Sequence, residues 1–386
     1  MEDNKTLPSV SASAEGGASP STAGNQNANQ QPKEKPSVFF NYADDYVKNR
    51  FLNEINEFAM FKGRKTGFPN VDDNQFFYPG LYSVAGISSI GKTSWCQQLA
   101  VQLAEGGSHV LYFSLEQSSL ELTAKNIARY INQQSKRDPS YSRFNALQIR
   151  LGNAITSREF AEQLQAYTNN VQNRLCIVQC NMSITVEQII TYVSEFMKAY
   201  PGIIPVVFID YLQIISPSEL GGRVLVDAKT NVDHIVHELK AFQMSKNLTI
   251  VVICSLNRAS YQTSMNMQAL KESGSIEFTS DWVGGLQLQL LEKEEYRYIE
   301  DPVTHKRRAT TDEEKDQMIN DEKSEPIRRI ELVVLKNRGG KPYYKAYFNY
   351  EPEFDTFTAC DEKGNPYVST TQFMPIEDED PDNPFA

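Results

Sequence analysis

The sequence predicts an α/β fold with a mostly parallel central sheet that helices cover on both faces. Apolar strand-like runs alternate with helical segments from residue 79 onward, which is typical of parallel strands joined by crossover connections. Runs such as LCIVQC (175–180) have the composition of buried strands. A glycine-rich turn lies between the first run and the first helix, at the position where folds of this class bind ligands.

Strands are predicted at 78–86, 109–116, 175–180, 205–215 and 249–256. Helices are predicted at 93–105, 185–200 and about 227–246. Thr185 and Gln188 have the spacing of a capping box at the start of the second of these helices. The elements therefore alternate along the chain, as a parallel sheet requires.

The composition limits the functional classes that the chain can belong to. The 386 residues are 40% hydrophobic and 23% charged, which suits one large globular domain or two small ones. The formal charge is −11, so any contact with nucleic acid must come from a local patch or from several subunits that pool small patches. No stretch approaches the ~18 apolar residues of a membrane span, and the N-terminus lacks a secretory signal. We expect a cytoplasmic protein with no membrane partner.

Four segments lie outside the alternating pattern. Residues 1–40 are poor in large apolar side chains and are predicted to be a disordered arm. Residues 41–64 are predicted to be an amphipathic linker helix, which packs on its own chain or on a neighbouring subunit; periodicity does not decide between the two. Residues 292–329 are densely charged and predict a solvated hairpin or insertion. Residues 358–386 are predicted to be an acidic tail.

The sequence predicts no disulfide and no zinc site. The five cysteines are scattered, and buried reduced thiols explain them better than disulfides. Cys176 and Cys180 are expected in the core of a strand. His234 and His237 are three residues apart but lack a third ligand at a recognisable spacing, so we interpret this segment as an ordinary amphipathic helix.

Residues 86–93, GISSIGKT, fit the phosphate-binding pattern G-x-x-x-x-G-K-[ST] and lie between a strand and a helix. The backbone N–H groups of such a loop surround phosphate oxygens beside the positive end of the following helix. Lys92 would reach the β- and γ-phosphates of ATP, and the Thr93 hydroxyl would bind Mg²⁺. The residues predicted to bind the nucleotide here are Gly86, Ser88, Ser89, Ile90, Gly91, Lys92, Thr93 and Ser94.

Two acidic residues come at or near the ends of predicted strands. Asp210 ends the apolar run that begins at Val206, and an unpaired buried aspartate is costly, so we expect a metal ion beside it. Glu116 follows a second apolar run. One of the two acids can orient Mg²⁺ while the other accepts a proton from attacking water. For Glu116, an ordinary acidic residue at a helix N-terminus remains the alternative.

The order of six motifs resembles the ATPase domain of the DnaB-type replicative helicases, which have a RecA-like fold. The motifs are GKTS, FSLE, IDYLQ, SLNR, KESGSIE and KNRGG, and they lie within about residues 65–357. IDYLQ followed some sixty residues later by ESGSIE is more discriminating than the phosphate loop alone. The likeness is greatest to the shorter DnaB-like ATPases of phages and mobile elements.

The resemblance implies roles for residues far from the phosphate loop. Glu116 matches the catalytic base of the family, and Asp210 matches the acid on the metal side. Lys271, Glu272 and Gly274 match the loop that holds the backbone of single-stranded DNA in a central channel; most members have arginine in place of Lys271. Arg258 is also predicted to contact DNA.

The family also implies an oligomer. Lys336 and Arg338 match the pair that reaches across a subunit boundary to the γ-phosphate of the neighbouring copy. We therefore expect a homo-oligomer, a hexameric ring, in which six small loops pool their contacts with single-stranded DNA. The acidic overall composition fits such a ring, since a basic exterior is then unnecessary.

The chain departs from the family at two places. Ser255 stands where many relatives have a glutamine that hydrogen-bonds the γ-phosphate, and a serine is too short for that contact. Coupling of nucleotide to DNA is therefore weakened, or it is relayed by Asn257 or Arg258. The folded N-terminal domain of the family is replaced by the predicted arm and linker helix, which favours packing of the helix 41–64 on a neighbouring subunit.

The expected function is an ATP-dependent DNA helicase that uses Mg²⁺, translocates on one strand and unwinds duplex during replication. Two alternatives stay open: a DNA-stimulated ATPase or translocase that does not unwind, and a nucleotide switch that serves as an adaptor for the replication or recombination machinery of a mobile element. The segment IEDEDPDNPFA resembles the acidic tails by which single-stranded-DNA-binding proteins recruit replication proteins; a solubilising acidic end is the other interpretation.

Overall fold

The computed structural model describes residues 42–220, 223–224, 227–256, 260–269, 274–301 and 305–369. The predicted arm at 1–40 and most of the predicted tail lie outside these residues, and so do Arg258, Lys271 and Glu272. The chain divides into two compact units, with the boundary between Glu57 and Phe58.

The first unit contains most of the predicted linker helix. Its described part is helical, as α1 (Ala43–Tyr46), a π-helical turn (Val47–Phe51) and the first residues of α2 (Leu52–Ala59). The Tyr46 hydroxyl donates a hydrogen bond of 2.7 Å to Glu54, and Arg50 pairs with the same carboxylate. Several apolar side chains of this helix are exposed, namely Val47, Phe51, Leu52 and Ile55.

The second unit is built around a large sheet. The strands described in this unit are β1 (Gly80–Gly86), β2 (Val110–Ser114), β3 (Leu175–Gln179), β4 (Val206–Asp210), β5 (Glu219–Leu220), β6 (Arg223–Val224), β7 (Thr249–Ser255), β8 (Trp282–Leu288), β9 (Tyr298–Glu300), β10 (Arg307–Ala309), β11 (Arg328–Asn337), β12 (Tyr344–Glu351) and β13 (Thr356–Cys360). Nine of these described strands form the main sheet in the order β13-β12-β11-β8-β1-β7-β4-β2-β3. β5 pairs with β6 and β9 with β10 in two small ribbons.

The predicted fold class is confirmed. β8, β1, β7, β4, β2 and β3 pair in parallel, and β11, β12 and β13 extend the sheet with antiparallel pairs. Every residue of β1, β2 and β4 is buried. Because alternate side chains point to opposite faces of a strand, both faces of the sheet centre must be covered.

Helices and short helical turns connect the strands. The helices are α3 (Pro69–Asp72), α4 (Lys92–Glu105), α5 (Ser119–Arg137), α6 (Ala146–Arg150), α7 (Arg158–Val171), α8 (Val186–Ala199), α9 (Ala228–Lys246), α10 (Gly274–Thr279), α11 (Glu294–Arg297) and α12 (Asp312–Ser324). The 3₁₀ turns are Leu212–Ile214, Gln289–Glu292 and Pro352–Phe354. The capping box of Thr185 and Gln188 begins α8 as the sequence predicts. No helix in the described ranges has the length and apolarity that a bilayer crossing requires.

Two predicted elements differ from the observed ones. The predicted strand at 205–215 ends at Asp210, because the chain turns into the 3₁₀ helix Leu212–Ile214. The charged segment 292–329 contains the expected hairpin, β9 and β10, but it also contains α12. This helix has a capping box at Thr311, and it buries Ile319. One buried apolar side chain in thirteen residues leaves too weak a period for sequence analysis to detect.

Two further expectations are corrected. The predicted boundary between the ATPase domain and the tail, after residue 357, falls inside β13, which continues to Cys360. The chain stays on this unit up to Ser369, whose hydroxyl donates a 2.7 Å hydrogen bond to Asp73. Cys176 was expected in the core but is exposed, and Cys180 is half-buried. The reason is that β3 is the edge strand of the sheet, so one side of it lacks a neighbouring strand.

Candidate nucleotide-binding site

The predicted phosphate loop connects the end of β1 to the start of α4. Gly91 has φ +99°, a conformation that only glycine adopts at low cost, and a Cβ there would lie 2.9 Å from the rings of Tyr350 and Phe357. The Lys92 ammonium donates a 2.9 Å hydrogen bond to the carbonyl of Ile87. The loop is therefore closed on itself, and its backbone lies against the N-terminus of a 14-residue helix.

A polar cavity of about 370 Å³ opens beside this loop. Nine of the residues predicted to bind nucleotide or to act in catalysis line it, namely Ser88, Ser89, Gly91, Lys92, Thr93, Ser94, Glu116, Asp210 and Ser255. Gly86 and Ile90 do not line it: Gly86 ends β1, and the buried Ile90 side chain packs in the core. β1, β4 and β7 run in parallel, so their carboxyl ends bring these distant residues to one edge of the sheet.

Asp210 is the most deeply buried acid of the cavity, with 2% of its surface exposed. It accepts a 2.9 Å hydrogen bond from the Tyr112 hydroxyl and a further hydrogen bond from the Thr93 hydroxyl. Burial raises the pKa of Asp210, and these hydrogen bonds oppose the rise. Burial also lowers the pKa of Lys92, which Asp210 opposes. Each group therefore favours the charged form of the other, and an added cation would stabilise the carboxylate further.

The chemistry of these side chains fits Mg²⁺. Magnesium takes one or two protein oxygens and completes its shell with water and phosphate oxygens. Thr93 and Asp210 provide such oxygens next to the phosphate loop. A cage of three or more His, Cys, Asp or Glu side chains is absent from the described residues, as expected for a metal that is held largely by its nucleotide. His234 instead hydrogen-bonds Glu187 at 3.1 Å.

Glu116 is exposed at the mouth of the cavity, two residues after β2 ends. The backbone N–H of Leu115 donates a 2.9 Å hydrogen bond to the carbonyl of Asp210, which holds the two acidic segments together. Ser255 ends β7, and its backbone exchanges two hydrogen bonds with the side-chain amide of Gln213, at 3.2 and 3.3 Å. The structure thus places an amide beside Ser255, although sequence analysis predicted no role for Gln213.

Sequence analysis also missed a polar cluster that lines the inner wall of the cavity. Asp355 accepts a 2.5 Å hydrogen bond from the Ser94 hydroxyl and lies 3.7 Å from the ammonium of Lys125. Its backbone carbonyl accepts a 2.7 Å hydrogen bond from the buried Arg129. The Tyr350 hydroxyl lies 3.3 Å from the Ser94 hydroxyl. Asp355 is 261 residues from Ser94, and no local motif marks it, so only the pairing of β12 and β13 could reveal it.

An aromatic wall borders the cavity on the side of the loop. The ring of Tyr350, which lines the cavity, stacks on Phe357 with centroids 4.1 Å apart. The Arg328 guanidinium lies 6.0 Å from the centroid of the Tyr350 ring and donates a 3.1 Å hydrogen bond to the carbonyl of Ser89. Its Nε is buried without a hydrogen-bond partner in the described structure. An aromatic face beside a cation is a surface on which a nucleobase can stack.

Lys336 and Arg338 lie away from this cavity. The Lys336 ammonium donates a 2.7 Å hydrogen bond to the carbonyl of Glu277, and Arg338 pairs with Asp281 at 2.9 Å. The same Asp281 accepts a 2.8 Å hydrogen bond from the N–H of Leu81, which lies near the start of β1. The phosphate loop begins at the other end of β1, five residues or about 17 Å further along. The side chain of Arg338 is 56% exposed.

The predicted DNA loop is described only in part. Gly274 begins α10, and a Cβ there would meet no atom within 4 Å. Lys271, Glu272 and Arg258 lie outside the described residues. α10 packs against α9, and the Lys336 ammonium also donates to the carbonyl of Phe278 in this helix. The end of the DNA loop and the predicted trans pair thus belong to one local cluster.

The fold and the cavity define a phosphate-loop nucleotide-binding domain of the RecA-like α/β class. The model of the DnaB-like helicase C terminal domain matches residues 63–359. The chain therefore belongs to this family, as its motifs predict.

Two solved structures have the same fold. One is the ATPase domain of a DnaB-like helicase, which is 19% identical, with a TM-score of 0.61, over 81% of this chain and 97% of that chain. The other is a DnaB-like replicative helicase, described with its interactions with primase, which is 17% identical, with a TM-score of 0.59, over 81% of this chain and 68% of that chain. No curated protein matches the sequence.

Proposed function

We propose that this protein is an ATP-dependent DNA helicase that hydrolyses ATP at subunit interfaces, translocates on single-stranded DNA and unwinds duplex during replication. The observation that carries the proposal is the assembly of Lys92, Thr93, Glu116 and Asp210 around one cavity at the carboxyl edge of the sheet. Family membership supports the reaction class, since DnaB-like helicase domains are nucleotide-dependent ATPases.

Each side chain of the cavity has a distinct role in the proposed hydrolysis. The phosphate loop and Lys92 bind the β- and γ-phosphates, and Thr93 and Asp210 hold the Mg²⁺. The bound metal would supply charge neutralisation on the phosphate oxygens. Glu116, which has water on one side and the phosphate site on the other, accepts a proton from the water that attacks the γ-phosphorus. The bond from that phosphorus to the bridging oxygen breaks, and ADP leaves.

Charge stabilisation by a second copy completes the proposed reaction. Arg338 lies about 17 Å along the sheet from the loop of its own chain, which is beyond the reach of one side chain. It is more than half exposed and is oriented by Asp281, which also pairs with Lys240 at 2.6 Å. This arrangement suits a guanidinium that is presented to the phosphate of a neighbour rather than to its own. Lys336 would assist from the same strand, in a homo-oligomer that we propose to be a hexameric ring.

The test of the proposal is unwinding of a forked duplex with ATP and Mg²⁺. The wild-type protein is expected to separate the strands, and Lys92→Ala is expected to abolish both unwinding and hydrolysis, because the β- and γ-phosphates lose their cation. A matched control is Lys293→Ala, in the charged segment far from the loop along the chain. Hydrolysis that DNA stimulates, without unwinding, would contradict the helicase proposal and favour a translocase.

The non-unwinding translocase is favoured by one observation. Ser255 lines the cavity where many relatives have glutamine, so the link from the γ-phosphate to the DNA loop rests on Gln213 or on residues outside the described chain. Lys271→Ala separates both motors from a nucleotide switch. Loss of DNA-stimulated hydrolysis in this variant is expected of a motor, and hydrolysis that ignores both DNA and the substitution would indicate the switch.

Tyr350 is expected to bind the nucleobase. Stacking of a base on an aromatic ring is worth about 1–3 kcal/mol, so Tyr350→Ala should raise the KM for ATP by about 5- to 150-fold with a smaller change in kcat. Tyr350→Phe keeps the ring and loses the contact with Ser94, so its KM should stay near that of the wild type. Steady-state kinetics of the two variants, with thermal melting as a check on folding, test this role; equal effects would exclude stacking.

A further inference from the structure

A second polar cavity, of about 630 Å³, lies at the opposite edge of the sheet from the nucleotide site. Three loops line it: residues 60–67 ahead of α3, residues 106–109 ahead of β2, and residues 202–204 ahead of β4. The turn at 106–109 and the loop at 202–204 thus precede strands whose far ends reach the nucleotide cavity. The lengths of β2 and β4 place about 17 Å between the two cavities.

The wall of this cavity is cationic. Lys62, Arg64 and Lys65 line it, and none of its described lining residues is acidic, although the chain as a whole carries a charge of −11. Arg64 is half-buried, and its described contacts are a 2.9 Å hydrogen bond to the Thr249 hydroxyl and the ring of Phe61 at 4.7 Å. Burial lowers the pKa of Arg64 to about 10. A partly buried guanidinium without a carboxylate among the described residues is a costly arrangement that an anionic ligand would relieve.

The described chain ends close to this cavity. Asp72 accepts hydrogen bonds from the backbone N–H groups of Thr66 and Gly67, at 2.7 and 3.1 Å, and Gly67 lines the cavity. The adjacent Asp73 accepts a 2.7 Å hydrogen bond from Ser369, the last described residue. Two neighbouring aspartates therefore hold both the cavity rim and the point from which residues 370–386 continue.

The sequence beyond Ser369 has the charge that the cavity lacks. Five of the six residues from 377 to 382 are acidic, and residues 370–386 contain no Lys or Arg. Eight residue steps separate Ser369 from Glu377 and can span up to about 28 Å, which is ample for a site that begins one aspartate away. A DNA phosphate has the same charge, but nothing in the described residues directs a DNA strand to this edge.

We propose that the cationic cavity of loops 60–67, 106–109 and 202–204 binds the acidic segment 377–382 of the same chain. This inference is independent of the ATPase and helicase proposals. A docked tail is withheld from other proteins, so any partner that the tail recruits must first displace it from Lys62, Arg64 and Lys65. Because the contacts are between charges near the surface, salt should weaken them.

The test is the reactivity of lysine amines in the full chain. Limited acetylation, followed by mass spectrometry, compares the wild type with a chain that carries E377Q, D378N, E379Q, D380N and D382N. Neutralising the tail should raise the acetylation rate of Lys62 by about threefold or more, and about 0.5 M NaCl should do the same in the wild type by screening the charges. Lys293, in the charged segment, is the internal control and should not change.

Two outcomes would overturn the proposal. Equal reactivity of Lys62 in both chains would mean that the tail does not cover the cavity. Protection of Lys62 by a single-stranded oligonucleotide, with no effect of the tail, would assign the cavity to nucleic acid. Carbodiimide cross-linking of a mixture of isotopically light and heavy chains checks the connection. Links between Lys62 and residues 377–382 are expected within one molecule, and links only between light and heavy chains would reject docking in the same chain.

Discussion

An Arg338→Ala chain is expected to lose about 10³-fold or more of its rate of ATP hydrolysis while it still binds ATP, the range known for arginine residues that act across an interface. The physical reason is that the guanidinium stabilises negative charge on the phosphate oxygens of the transition state, in a site from which water is largely excluded. Binding is retained because the phosphate loop and Lys92 belong to the other side of the interface. Steady-state hydrolysis and binding of a fluorescent ATP analogue measure the two quantities.

Mixing variants distinguishes action across an interface from action within one chain. An Arg338→Ala subunit keeps an intact phosphate loop, and a Lys92→Ala subunit keeps an intact Arg338. At an interface where the first provides the loop and the second the arginine, hydrolysis should return, although each variant alone is inactive. Arg297→Ala, an exposed arginine that pairs with Glu292 at 3.7 Å, is the matched control and should leave the rate unchanged.

The mixing experiment also has a clear negative result. If no ratio of the two variants restores hydrolysis, while each still forms oligomers, Arg338 does not act on a neighbouring nucleotide. Arg338→Lys adds a finer test. Lysine keeps the charge but not the planar fork of donors, so it should recover only part of the rate. Full recovery would show that a point charge is sufficient.

Glu116→Gln is expected to reduce kcat by about 10²- to 10⁴-fold, the usual contribution of a positioned general base. Glutamine has nearly the same size and still accepts a hydrogen bond, but it cannot take the proton of the attacking water. ATP affinity should therefore change little, and the variant should accumulate with ATP bound. Quenched-flow measurement of a single turnover separates this effect on chemistry from an effect on product release.

The control for Glu116 is Glu195→Gln, an exposed acid on α8 that lies outside the nucleotide cavity. It should hydrolyse ATP at the wild-type rate. A Glu116→Gln chain with wild-type kcat would leave Glu116 as an ordinary acid at the start of a helix, and Asp210 would then be the remaining acid of the cavity.

Local sequence patterns were sufficient for the parts of the molecule that obey local rules. The phosphate loop is one contiguous segment, because its function depends on successive backbone N–H groups and on one helix N-terminus. The central strands were predictable because burial on both faces requires continuous apolar runs. α12 escaped prediction because only one of its thirteen residues, Ile319, is buried, and Cys176 was misassigned because a sequence does not show which strand lies at the edge of a sheet.

The order of residues along the chain, read by its periodicity and motifs, was enough to establish the fold class, the phosphate loop and the two acids at strand ends. Other features depend on which strands become neighbours. The pairing of β12 and β13 brings Tyr350 and Asp355 to Ser94, and the antiparallel course of β11 carries Arg338 to the edge of the sheet opposite its own phosphate loop. Contacts between residues more than two hundred positions apart leave no local period, since they arise from the packing of whole strands rather than from the preferences of neighbouring residues.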